Sequence, residues 1–220
     1  MTEVRRLKST PAQLDHLVVA ATSLADGIEY IAELTGVAPR PGGKHAAMGT
    51  HNALLRLGER VYLEIIAIDP EAPKPLRARW FDLDDIALQS ELTERPQLVH
   101  WVARTTDIEQ SAAASPVPLG AITEAERGDY RWRITIPEDG KRPGKGIVPT
   151  SIQWSVPVHP ADRLPQSGVS IAELAATHPD PAFVRATLAD LGLADVLKVT
   201  FDRDARLAAM LRTPRGLATL

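Results

Sequence analysis

Two histidines stand at matching places in two similar apolar runs, Leu14-Asp15-His16-Leu17-Val18-Val19-Ala20-Ala21 and Leu98-Val99-His100-Trp101-Val102-Ala103-Arg104-Thr105. Imidazole is the side chain best suited to ligate a metal or move a proton near neutral pH. The chain has no cysteine, which removes disulfides, thiolate metal sites and cysteine nucleophiles and leaves histidine and carboxylate as the strong metal ligands. His45 and His51 flank a glycine-bearing passage, where they could bind a substrate anion or shuttle a proton. The structural alternative is a solvated loop for His45, and for His51 with Asn52 the satisfaction of backbone groups at a strand start. Arg56, Arg131 and Arg133 alternate with apolar residues, so one of them could clamp a substrate carboxylate through its planar fork; the alternative is a solvated sheet face. Trp101, Trp132 and Trp154 are candidates for a cavity wall or for plain core.

The elements that must position these groups repeat. Each histidine run reads as a short, mostly buried strand. A helical segment follows each: Ser23 to Leu34, with Ser23 as N-cap and Gly36 as stop, and Asp107 to Ala114. Val37 to Met48 reads as loop, with Gly42 and Gly43. Gly49 to Gly58 and Arg60 to Ile68 read as two strands of a hairpin turned at Gly58-Glu59. The first unit is therefore β-α-β-β-β. Asp69 to Pro96, with three early prolines and a helical turn or two near Ile86 to Leu92, connects it to a second unit. That unit ends in strands at Tyr130 to Pro137 and Val148 to Val156. A third, partial unit follows, with a strand at Val169 to His178, a helix at Pro181 to Leu191, and strand candidates at Val196 to Phe201, Ala205 to Arg212 (equally readable as helix) and Leu217 to Leu220. It carries no histidine at the matching place, which assigns any site to the first two units. The fold class is α+β, with tandem modules at 12–70 and 97–160 forming one domain, 12–160, and a partial module at 168–220.

Composition narrows the function classes. A chain of 220 residues with 44% hydrophobic content can bury a sizeable core. A formal charge of -3 and the absence of a basic cluster in the sequence give no reason to expect nucleic acid or an anionic membrane as partner. Met1 to Lys8 lacks the apolar stretch of a signal peptide, and no uncharged apolar run is long enough to span a bilayer, so a soluble, cytoplasmic protein is expected. No nucleophile elbow, phosphate-binding glycine loop or dinucleotide fingerprint is present, which weakens covalent hydrolase and nucleotide readings.

The paired modules opening on Leu-Asp-His-Leu-Val, with Gly49-Thr50-His51-Asn52 and Tyr62-Leu63-Glu64-Ile65-Ile66 behind, resemble the vicinal oxygen chelate superfamily and its glyoxalase-like branch. The resemblance covers about Leu14 to Val156. It implies curled sheets around a cavity and a divalent metal held by the first and last strands of each module. Carried over, its ligand positions fall on His16, Glu64, His100 and, by matching Leu63-Glu64-Ile65 to Ile152-Gln153-Trp154, on Gln153. An amide there can coordinate weakly but cannot accept a proton, which argues against glyoxalase I chemistry. Two imidazoles and a carboxylate suit Zn, Ni, Mn or Fe(II), with positions left open for a substrate with neighbouring oxygens. The resemblance places the His45 to His51 passage near the cavity mouth; His51 is the catalytic candidate, and His45, Asn52, Arg56 and Trp154 are the substrate-binding candidates. The expected activity is that of a metal-dependent isomerase, lyase or epimerase on a small oxygenated substrate. An extradiol-type Fe(II) dioxygenase using the facial triad and a metal-free binding or resistance protein are the alternatives. Exposed sheet edges and family habit make a homodimer plausible.

Overall fold

The first histidine run forms strand β1 (Gln13–Ala20) in a computed structural model that describes residues 12–220. The stretch Met1 to Lys8 lies outside the described residues. Helix α1 (Leu24–Thr35) starts where Ser23 Oγ accepts the Asp26 amide at 3.1 Å and stops at Gly36, whose φ of 77° only glycine adopts without strain. Gly27 lets this helix lie directly on the sheet, since a Cβ there would sit 2.4 Å from Ile65 Cγ2. Strands β2 (Arg40–His45), β3 (Thr50–Gly58) and β4 (Val61–Ile68) complete the first unit.

Two local expectations are corrected here. Arg40 to His45 is a strand rather than loop, because an edge strand needs partners on one side only and therefore tolerates Pro41 and its glycines. The β3–β4 turn falls on Glu59-Arg60 rather than on Gly58-Glu59, with Gly58 still in β3 and Arg60 in the left-handed region at φ 53°.

Helix α2 (Ile86–Glu94), capped by Asp85, lies in the connection. The second unit repeats the order with β5 (Gln97–Arg104), α3 (Ile108–Ala114), β6 (Ala121–Arg127), β7 (Tyr130–Ile136) and β8 (Thr150–Trp154), and the four-residue α4 (Pro160–Arg163) follows it. All eight strands form one sheet, ordered β2-β3-β4-β1-β5-β8-β7-β6. The opening strand of each unit pairs in parallel with that unit's last strand, and β1 and β5 meet antiparallel at the centre. This is the expected tandem β-α-β-β-β architecture with its curled mixed sheet.

The C-terminal unit keeps the order of elements but not the wiring. Strands β9 (Ser170–His178), β10 (Lys198–Phe201), β11 (Arg206–Thr213) and β12 (Gly216–Thr219), with α5 (Pro181–Asp190) between the first two, form a separate sheet ordered β10-β9-β11-β12. Here the opening strand pairs in parallel with the strand straight after the helix. Ala205 to Arg212 resolves as strand.

Alternation along the strands divides the apolar residues between two cores. Leu17, Val19, Leu63, Ile65 and Trp101 point to one side, where they pack with α1 and with Leu174, Ala209 and Leu211 of the C-terminal sheet. Val18, Ala20, Ile66, Val102, Trp132 and Ile152 point to the other side and are covered by Trp80, Phe81 and Leu83 of the connection. The C-terminal unit thus backs the sheet on the face away from the histidine cavity. No helix among the described residues is long and apolar enough to cross a membrane.

Candidate active site

A register break in β1 builds the site. Leu14 pairs with Ala103 and His16 with Val102, so Asp15 is an extra residue bulged out of the ladder. A bulge re-aims side chains, and here it brings two consecutive residues to one place. Asp15 is fully buried and accepts hydrogen bonds from His16 Nδ1 at 2.7 Å, Trp154 Nε1 at 2.9 Å and His159 Nε2 at 3.1 Å. Burial acts to raise its pKa, but the hydrogen bonds from His159 and His16, with their charge, outweigh that and hold the carboxyl well below the usual range. His159 Nδ1 accepts the Ala161 amide at 3.2 Å, which fixes its other nitrogen as the donor to Asp15.

With Nδ1 turned to Asp15, His16 presents Nε2 to Glu64, whose Oε2 lies 3.6 Å away. Tyr62 stacks on the imidazole, ring centroids 4.5 Å apart and planes 17° from parallel. Burial, with the charges of Asp15 and Glu64 adding to it, pushes the Tyr62 phenol well above its usual pKa. Glu64 Oε1 accepts from Asn52 Nδ2 at 2.5 Å. Asn52 Oδ1 in turn accepts from the Gly43 amide at 2.9 Å and from Arg127 Nη1 at 3.1 Å. Arg127 also donates to His45 Nε2 at 3.0 Å, and the other nitrogen of His45 lies 3.1 Å from Thr50 Oγ1. Burial, with Arg127 adding to it, holds His45 down to about 4. His16, His45, Glu64, Arg127 and the rings of Tyr62, Trp80, Phe81, Trp132 and Trp154 enclose a cavity. Its room for the centres of water-sized spheres is about 30 Å³, enough for one or two waters.

His16, Glu64, His45, Asn52 and Trp154 are therefore brought together as expected, although His45 is buried and hydrogen-bonded rather than a solvated loop residue. Four other expected site residues are elsewhere. His100 is fully buried with both ring nitrogens taken: Nδ1 lies 3.3 Å from the Gly146 carbonyl, while Nε2 accepts the Thr150 amide at 3.1 Å and lies 3.0 Å from Thr150 Oγ1. Burial, with Arg142 adding to it, holds its pKa down to about 3. Gln153 faces the opposite side of β8, accepting from the Ile108 amide at 3.0 Å and Arg133 Nη2 at 2.8 Å. The register explains the error: Val18 pairs with Glu64 as Val102 pairs with Thr150, so the counterpart of Glu64 is Thr150, three residues before Gln153. His51, the expected catalytic group, sits between Thr50 and Asn52 and shares the face of Ala53 and Leu55, away from the cavity. Arg56 is spent on the carbonyls of Gly58 and Leu164.

The expected ligand set is thus not assembled. Among the described residues no group of three His, Cys, Asp or Glu side chains is gathered to hold a metal ion. His16 and Glu64 remain as two donors, with the Arg127 guanidinium lining the same cavity, so the residues present do not fit the three- or four-ligand centre that the resemblance implied. Arg127 and the Asp15–His159 link were missed in the sequence. A lone Arg at the end of an alternating polar strand carries no signal, and the bulge that aims Asp15 is visible only in the pairing.

Residues 14–192 match the family model described as a glyoxalase-like domain. The chain belongs to this glyoxalase-like family. Membership agrees with the vicinal oxygen chelate architecture expected from the repeated modules. Among solved structures, a hypothetical protein from Staphylococcus aureus shares 13% identity over 90% of this chain and 88% of its own, with a TM-score of 0.60, a likeness of fold. Methylmalonyl-CoA epimerase from Mycobacterium tuberculosis matches at 19% identity over 69% of this chain and 92% of its own, TM-score 0.42. A Streptomyces coelicolor methylmalonyl-CoA epimerase variant in complex with 2-nitronate-propionyl-CoA matches at 17% over 68% and 99%, TM-score 0.40. No protein of curated function matches the chain.

Proposed function

We propose that this glyoxalase-like protein is an enzyme of isomerase, epimerase or lyase type that moves a proton on a small oxygenated, anionic substrate. The observation that carries the reading is the His16 Nε2–Glu64 Oε2 pair, 3.6 Å apart inside an aromatic cavity. Glu64 is the base: Asn52 holds one carboxylate oxygen, which leaves the other to take a proton from a carbon next to a carbonyl or carboxylate. His16 stands beside it with its tautomer set by Asp15 and can pass that proton on. Arg127 supplies positive charge where the substrate anion and the developing enolate need it. Trp80 and Phe81 exclude water from the reaction, and they must shift to admit a substrate larger than the waters the cavity now accommodates.

A divalent metal is a property of many members of this superfamily, but among the described residues lining the cavity both nitrogens of His45 are engaged by Arg127 and Thr50, which leaves His16 and Glu64 as donors, and no step is assigned to a metal. The dioxygenase alternative needed His100 in the triad, which its sealed nitrogens do not supply. The metal-free binding reading keeps the same cavity and differs in having no turnover.

The test incubates the protein in D2O with pyruvate, lactate and methylmalonate and follows by NMR the hydrogen on the carbon next to the carbonyl or carboxylate, which is the methyl of pyruvate and C2 of lactate and of methylmalonate. Exchange with at least one of the three is expected, falling by about 10²- to 10⁴-fold in Glu64→Gln, the range for removal of a general base. Binding without exchange would move the reading to a sequestering protein. Exchange that vanishes on chelation and returns with added Zn, Ni, Mn or Fe(II) would restore the metal-dependent reading. Neither binding nor exchange would overturn the proposal for this substrate class.

A further inference from the structure

A hollow larger than the histidine cavity lies apart from it. It measures about 780 Å³ and lies where the loop between β7 and β8, α2 and β5 meet β11 of the C-terminal sheet. That volume is in the range of small-molecule sites. Its lining joins two chemistries. Leu88, Leu98, Val99 and Leu207 supply apolar wall, while Arg95, Lys141, Arg142, Lys145 and Arg206 stand against only two acids, Asp82 and Glu91. A surplus of cations in a chain whose formal charge is -3 is a local arrangement rather than a reflection of composition. The five cations come from three stretches of chain, Arg95, Lys141 to Lys145 and Arg206, which only the fold brings together.

Arg142 apart, the cations are not consumed by structure. Arg142 is tied to Asp82 at 2.6 Å, and Lys141 and Arg206 have only exposed acids at 4.0 Å and 3.5 Å. Among the described residues no carboxylate pairs with Arg95 or Lys145. Lys145 is held at the rim by backbone that a side chain resists: its φ is 56°, between Gly144 at 54° and Gly146 at 90°. The glycines are required for close packing, since a Cβ on Gly144 would lie 2.7 Å from Val148 Cγ2 and one on Gly146 2.6 Å from the Val99 carbonyl. Nothing in that packing asks for lysine between them. A strained non-glycine residue at a cleft rim points to a role for its side chain.

We propose that this cleft is a second binding site, for an organic polyanion whose phosphate or carboxylate groups meet Arg95, Lys145 and Arg206 and whose apolar body lies on Leu98 and Leu207. It is independent of the proton-transfer reading, because none of its lining residues belongs to the histidine cavity.

Calorimetric titration of the full chain with ADP, which carries both chemistries, and with pyrophosphate, which carries charge alone, tests the site. ADP is expected to bind at least tenfold more tightly than pyrophosphate. The double variant Lys145→Glu, Arg206→Glu is expected to weaken ADP at least tenfold with its melting temperature kept, while Lys198→Glu, on exposed β10 outside the cleft, leaves the affinity unchanged. Glu64→Gln and Arg127→Ala also leave it unchanged. Absence of binding at millimolar ADP, equal affinity for pyrophosphate, equal weakening by Lys198→Glu, or loss of binding in Glu64→Gln or Arg127→Ala would each overturn the proposal.

Discussion

The two modules carry one histidine each at the same register position and surround it in opposite ways. In the first, His16 has a bulged Asp15 on one nitrogen and Glu64 near the other, and it opens on a cavity. In the second, Val99 stands in sequence where Asp15 does and Thr150 stands in register where Glu64 does, so His100 closes on Gly146 and Thr150. Duplication supplied two equivalent imidazoles; the neighbours decide which can do chemistry. A carboxylate beside an imidazole leaves charge and an unfilled direction, whereas a hydroxyl and an amide satisfy the ring and end its reactivity.

The sharpest test of that contrast removes the acid that the second module lacks. Asp15→Ala deletes the acceptor of three donors, two of them buried and Trp154 partly so, and loss of a buried charged partner costs about 3–5 kcal/mol. Urea denaturation should show a loss of that order. A loss under about 1 kcal/mol would mean that the three donors find other partners and that Asp15 does not organise the first module.

Reading the sequence located the modules because their cue is covalent order: a histidine strand, a capped helix, then a hairpin, twice. The family resemblance is what pointed to His16 and Glu64, and the fold brings the two together. Register between strands was not legible. Matching Gln153 to Glu64 by local resemblance missed Thr150 by three residues, an odd number, so the side chain landed on the wrong face. His51 failed by the same parity. The C-terminal unit shows a related limit, since β9 to β12 repeat the order of elements while pairing in another order, and pairing depends on tertiary burial rather than on local pattern.

The second module has its own prediction. His100→Ala removes a buried ring and leaves the Thr150 amide and the Gly146 carbonyl without their partner, for an expected loss of about 2–4 kcal/mol at neutral pH. Its pH dependence carries a definite sign. His100, held down to about 3, and His45, held down to about 4, take up protons less readily folded than unfolded, so their stabilising effect is full above the unfolded pKa near 6.5 and is lost as pH falls below it. Each contributes a slope of about 1.4 kcal/mol per pH unit in that window. His100→Ala should remove one proton from the slope measured between pH 6 and pH 4.5. An unchanged slope would mean that His100 titrates normally and is not sealed.

Thr150→Val isolates the hydroxyl that replaces the carboxylate. His100 Nε2 keeps the Thr150 amide and loses one neutral hydrogen bond, so a loss of about 1 kcal/mol is expected. Proton exchange by the first module should be untouched. A fall in exchange comparable to that of Glu64→Gln would show that the second histidine takes part in the chemistry and would dissolve the contrast.

Glu64→Gln is expected to have the smallest effect on stability and the largest on function. The amide keeps the size of the side chain and can keep its oxygen on Asn52 Nδ2, so the Asn52–Arg127–His45 network survives. The variant gives up only the charge toward His16 Nε2, a contact of 3.6 Å that is too long for a strong hydrogen bond. A change within about 1 kcal/mol in urea is therefore expected. A residue kept for structure gives the reverse result, a large loss of stability with exchange intact. If Glu64→Gln unfolds the protein as severely as Asp15→Ala does, the carboxylate is part of the buried scaffold, and the first module is as closed as the second.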